Sequence, residues 1–206
     1  MLEININILR CAVFPLSVYL LPGGITKLKI FEQRYIRMVK ESMQSGFVLS
    51  LYKPDLVHES SPWGVHVSIV DFEMLPDGLL GIVIKANNLV ELTNMELEHD
   101  GLRCATISVL EHWPERDEDQ YSQRLAAQLQ QLMTQNKQYG SLYQNALFDA
   151  APQWHNPVWV NQRWLEILPI SYQHRAKFIQ SSTFDVAQNF IQTMVLGLQN
   201  SPTIKI

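Results

Sequence analysis

Hydrophobic and polar positions along the 206-residue chain follow two periods, one in each half. The first half keeps mostly to period two. Ile4, Ile6 and Ile8 alternate with Asn5 and Asn7, as in a strand with one buried face. Residues 10–21 continue as an apolar strand, with Pro15 marking a bulge or an edge. Pro22-Gly23-Gly24 then turns the chain. In residues 25–31, Leu28 and Ile30 face one way and Lys27 and Lys29 the other. An amphipathic helix follows at once, with Tyr35, Met38, Val39 and Met43 at helical spacing. Residues 47–52 read as a short strand and 53–61 as a polar, proline-broken loop. Residues 63–75 and 79–92 flank Pro76-Asp77-Gly78, a hairpin signal. Glu98-His99-Asp100-Gly101 reads as a turn, and residues 102–111 as the last strand.

The second half changes period. His112-Trp113-Pro114 breaks the last strand, and the acidic run 115–119 suits a helix start, where negative charge meets the positive end of the dipole. Leu125, Leu129, Leu132 and Met133 form a helical stripe, with Gln123, Gln128, Gln130, Gln131 and Gln135 on the solvated surface. Asn156-Pro157 predicts a capped helix start with Pro at its first position. Trp164, Ile167 and Leu168 supply that helix's apolar face, and Ser171 caps a further short helix. Ser182-Thr183-Phe184-Asp185 is similar to a capping box ahead of a last helix carrying Ala187, Phe190, Ile191, Met194 and Val195. The periodicities therefore predict an α+β chain, a curled and largely antiparallel sheet with one helix against it followed by helices. The expected division is residues 1–114 and 115–206.

Composition narrows the classes. Hydrophobic residues make up 47% and charged residues 17%, enough for a packed core. The net charge of −4, with no basic run, argues against nucleic acid as a partner. Cys11 and Cys104 sit in apolar strand-like sequence and read as buried free thiols. No apolar run has the roughly 20 residues of a spanning helix, and no secretory leader is visible, so a cytoplasmic chain without membrane contact is expected. The phosphate-cradling Gly-x4-Gly-Lys-Ser/Thr loop and the Gly-x-Ser-x-Gly elbow are both missing from the sequence. His58-Glu59 is followed by Ser60-Ser61-Pro62, which does not continue as a zinc-binding helix. The expectation is no catalytic residue, no cofactor and no metal.

One segment carries more than periodicity. Phe14-Pro15-Leu16, Leu21-Pro22-Gly23 and Phe31-Glu32-Gln33-Arg34-Tyr35 occur in order at short fixed spacings. This layout resembles the opening of the Lon protease N-terminal, substrate-recognition domain, also found in cereblon. The resemblance implies a β-rich, PUA-like pseudo-barrel with one helix, followed by a C-terminal helical bundle. It implies a stand-alone, non-catalytic domain, without Lon's ATPase and Ser-Lys protease domains. Its implied partners are unfolded or extended polypeptide segments, with delivery to a protease as an adaptor in protein quality control. The open edge of the β lobe and the cleft between lobes are the expected places for an extended peptide. An RNA-binding PUA-like module is the alternative reading. Where the family often has a glycine near an arginine after the hairpin, this chain reads Ile84-Lys85-Ala86-Asn87-Asn88-Leu89.

The best-matched motif also supplies the candidate site. Phe31, Glu32, Arg34 and Tyr35 are the expected binding surface. The competing reading is structural: Phe31 and Tyr35 pack the helix onto the sheet, and Glu32 and Arg34 make capping or ion-pair contacts.

Overall fold

A computed structural model describes residues 9–145, 148 and 151–199. The alternating stretch with Ile4, Ile6 and Ile8 lies outside the described residues. The chain forms two compact units: Met1–Leu110 with Leu142–Ala151, and Glu111–Ser141 with Pro152–Ile206.

In the first unit, six strands build one sheet: β1 (Leu9–Leu16), β2 (Ile25–Ile30), β3 (Phe47–Tyr52), β4 (Ser60–Met74), β5 (Leu80–Leu97) and β6 (Arg103–Val109). Their order is β2-β5-β4-β3-β1-β6, and β6 also pairs with β5. Strands β5, β4, β3, β1 and β6 therefore close into a ring, and β2 is added to β5 outside it. Most ladders are antiparallel, but β1 and β3 run parallel, from Val13 opposite Val48 to Leu16 opposite Leu51. That pairing needs a crossover, and residues 17–46 supply it through β2 and helix α1 (Gln33–Glu41). Inside the ring, Cys11, Val13, Val48, Val90, Leu92 and Ala105 form a buried cluster. Each large aliphatic side chain buried this way contributes about 1.5–3 kcal/mol.

The strand boundaries moved where polar groups found partners. The expected strand 10–21 ends at Leu16, with the last β3 pair. Tyr19, Leu20 and Leu21 stay buried without a ladder, because an apolar run reports burial and not extension. Pro15 lies beyond Val13, where the β6 ladder stops, so its missing N–H costs nothing on that side. Ser60 and Ser61, expected in a loop, open β4. The Ser50 and Ser60 hydroxyls lie 2.7 Å apart, and the Leu51 N–H donates to Ser61 Oγ at 3.1 Å, so β3 satisfies both buried serines. Strand β5 runs five residues past the expected Leu92, because a bulge between Thr93 and Glu96, with Asn94 at φ 48°, lets pairing with β6 resume. On β4, His66 Nε2 bonds Ser45 O at 2.8 Å.

Helix α1 buries Tyr35, Met38 and Val39, as its spacing predicts, but it ends at Glu41, so Met43 lies beyond it and is exposed. The Tyr35 ring lies 4.0 Å from Phe14. The turn at Pro22-Gly23-Gly24 forms, with the Gly24 N–H donating to Leu21 O, and it docks on Ala86 through Gly23 N–H to Ala86 O at 2.9 Å. Residues 142–151 also belong to this unit; Leu142, Tyr143 and Phe148 are buried, and Tyr143 Oη accepts from the Ile25 N–H at 3.2 Å.

The second unit is built on helices α2 (Gln120–Gln135), the first part of α3 (Lys137–Gln144), α4 (Pro157–Ile167), α5 (Tyr172–Phe178) and α6 (Phe184–Gln199). Asp119 caps α2 in a reciprocal arrangement with Ser122, and Asn156 caps α4 with Pro157 at its first position. Ser171 caps α5 through the His174 N–H. Thr183 is used differently from the expected capping box: its hydroxyl donates to Gln180 O and accepts from the Trp113 indole N–H at 3.1 Å. Helix α4 is buried on nearly every side, not on one face. Asn161, Gln162 and Arg163 are buried along with Trp159, Val160 and Trp164. Arg163 is compensated by Glu166 at 2.7 Å and by the Trp159 ring.

Candidate binding groove

The junction between β2 and α1 fixes the site. Period two buries Ile30 and turns the next side chain outward, so Phe31 is 65% exposed. Helix α1 then begins. Glu32 takes the N-cap position with extended backbone, but its side chain makes no capping bond and pairs instead with Arg34 at 2.6 Å. Arg34 donates to Gly101 O at 3.1 Å and stacks over Tyr35, its guanidinium carbon 4.8 Å from the ring centre. Of the structural reading, Tyr35 packing and the Glu32–Arg34 pair hold. Phe31 does not pack the helix onto the sheet.

All four residues line one groove of about 380 Å³. Phe14, Pro15 and Leu16 at the end of β1 form part of its wall, with Tyr52 from the end of β3. Lys27 and Lys29 come from β2. Arg103, at the start of β6, and Glu59, just before β4, complete it. Sequence reasoning missed Arg103, Glu59 and Tyr52. They lie in three separate segments, and only the closed ring brings strand ends from 14 to 103 to one place.

Arg103 is the most constrained charge here, 8% exposed. Its Nε donates to His58 O at 2.5 Å and its Nη2 to Glu59 Oε2 at 2.7 Å. His58 and Glu59 both have left-handed backbone, φ 58° and 55°. Such residues cost about 1–2 kcal/mol each relative to a relaxed turn, and the two Arg103 bonds offset that cost. Burial pushes the Tyr35 hydroxyl above its ordinary pKa, while Arg34 and Arg103, the latter through a hydrogen bond, pull it down. Arg34 Nε is buried with no acceptor among the described residues.

The groove's lining carries four cations and two carboxylates. Lys27, Lys29, Arg34 and Arg103 face Glu32 and Glu59, on a chain of net charge −4. Lys27 pairs with Glu73 and Lys29 with Asp77, both exposed pairs of small worth. The groove thus offers aromatic and aliphatic walls beside paired charges.

Two other concavities are less suited. One of about 340 Å³ is lined by Cys11, Cys104, Glu41 and Glu98. Burial, with each thiol's acidic or thiol neighbour, pushes both cysteines up to about 11, so they stay protonated. The other, about 430 Å³, is a shallow apolar surface at Leu56, Val57, Pro62 and Met95. Among the described residues, no three His, Cys, Asp or Glu side chains gather as a metal cage, and no helix is long and apolar enough to cross a membrane.

A closed strand ring with an appended edge strand and a groove at its helix junction, followed in sequence by helices, defines an α+β domain. The family model of the ATP-dependent protease La (LON) substrate-binding domain matches residues 10–184. The chain belongs to that family. Its fold is similar to a solved Lon N-terminal domain protein from Xanthomonas campestris, at TM-score 0.65 and 22% identity, covering 92% of this chain and 98% of that one. It is also similar to the N-terminal domain of Mycobacterium avium complex Lon protease, at TM-score 0.57 and 10% identity, covering 89% and 96%. No curated protein sequence matches it.

Proposed function

We propose that this chain is a non-catalytic protein-binding domain that holds extended, unfolded polypeptide in the groove at Phe31, Glu32, Arg34 and Tyr35. The observation that carries the reading is Phe31: a large aromatic, 65% exposed, at the mouth of a concave site within the family's matched segment. Exposed aromatics beside a cleft are the usual anchors of recognition. The edge of β2 adds support. Among the described residues, β2 pairs with β5 alone; its other edge is covered at Ile25 by Tyr143, and beyond that point it offers main-chain groups to an added strand. The closed ring supports a PUA-like pseudo-barrel, and the packing of α4 against both α2 and α6 supports a helical bundle after it. In this reading the domain works without ATP in the cytoplasm and presents its cargo to a protease as an adaptor.

The test is binding of fluorescent, unstructured peptides, read by anisotropy. The wild-type chain binds aromatic-containing peptides, and Phe31→Ala and Tyr52→Ala each weaken binding by about tenfold, the ~1.4 kcal/mol expected of an anchor side chain. Unchanged circular dichroism of both variants excludes unfolding as the cause. Equal affinity for wild type and both variants would sink the assignment of this groove.

A further inference from the structure

The groove's charges point to a narrower ligand class. We infer that it selects extended segments in which an aromatic or aliphatic residue stands next to an acidic side chain, and that Glu59 occupies the acidic subsite when no ligand is bound. This rests on the peptide-binding reading above. Four cationic side chains and two carboxylates line the groove, and Lys27 and Lys29 reach carboxylates outside it, Glu73 and Asp77, only through exposed pairs of small worth that an anionic segment can displace. Its buried cation, Arg103, has a forked guanidinium suited to a carboxylate. Its Nη2 already holds one carboxylate, Glu59, while its Nε is taken by His58 O, both delivered from two consecutive left-handed residues. Glu59 is itself half exposed, so it can swing out without burying an unpaired charge. An incoming glutamate or aspartate then replaces like with like at Arg103, and the turn at His58–Glu59 is released. Arg34, whose guanidinium bonds Gly101 O and Glu32, adds a second cation to the same wall. The aromatic neighbour of the acidic residue meets the wall formed by Phe31 and Tyr52.

The experiment compares two amidated peptides differing only in glutamate or glutamine beside one phenylalanine; amidation removes the terminal carboxylate as a rival source of charge. The expected result is about tenfold tighter binding of the glutamate peptide at low salt, shrinking as salt rises. In a Glu59→Gln chain, where Arg103 loses its charged competitor, the glutamate peptide tightens several-fold and the glutamine peptide does not change. Equal binding of the two peptides by wild type, with loss on Phe31→Ala, overturns the acidic preference and leaves the peptide-binding reading standing. No binding of either peptide overturns both. Unaltered discrimination in Glu59→Gln removes Glu59 as the internal occupant.

Discussion

His112 is held by two fixed partners in the second unit. Its Nε2 donates to Phe178 O at 3.0 Å, so the neutral ring's Nδ1 accepts from the Gln162 amide at 2.9 Å. The ring also stacks on Trp113 at 4.5 Å. Burial pushes its pKa below the ordinary 6.5, and the Phe178 carbonyl pulls only partly the other way. The unfolded chain therefore takes up a proton at higher pH than the folded one. Stability from this group is fully present above about pH 6.5 and is lost as pH falls below it. Urea midpoints for wild type and His112→Gln, followed from about pH 8 to 5.5, should converge as the medium acidifies, because only wild type carries this penalty. Parallel curves would refute it. None of this was legible in the sequence, where His112 was one of six scattered histidines. A histidine's partners come from residues 50 and 66 positions away.

At the scale of elements, the β2–α1 segment was legible because its signals are local: alternation, a turn and helical spacing follow one another within residues 22–41. The hairpin at Pro76-Asp77-Gly78 was legible for the same reason. What escaped were boundaries set by partners across the sheet, such as the serines opening β4 and the bulge prolonging β5. The turn after α1 shows how tight such a place can be. Gly46 has φ +74°, and an added Cβ would lie 2.2 Å from Val67 O and 2.9 Å from the His66 ring. Gly78 has φ +78° with nothing within 4 Å of the same position. Gly46→Ala should cost about 3 kcal/mol or more, since backbone must move, and Gly78→Ala only the left-handed penalty of about 1 kcal/mol. Chemical denaturation of the two variants checks the order; equal losses would contradict the close approach.

For the whole molecule, family and fold class were legible, whereas the groove was not. Its walls come from residues 14–16, 27–32, 34, 35, 52, 59 and 103, and only a closed ring gathers them. The sequence also gave no sign that the first unit takes in residues 142–151, because a helical stretch carries no address. Those residues bury Leu142, Tyr143 and Phe148 and cap the Ile25 N–H. A fragment ending at residue 151 should therefore resist urea better than one ending at 114, by about 3 kcal/mol or more from three large side chains. Identical midpoints would show that the segment adds nothing. Ring closure has a further consequence during synthesis. Leu9 of β1 pairs with Ile107 of β6, and β5 must serve β2, β4 and β6 together. A nascent chain emerging from the ribosome cannot seal its apolar lumen until the sixth strand is out, so the early strands wait with their oily faces uncovered. Such late, long-range zippering slows folding and keeps apolar strand faces open to misassociation until the ring is sealed.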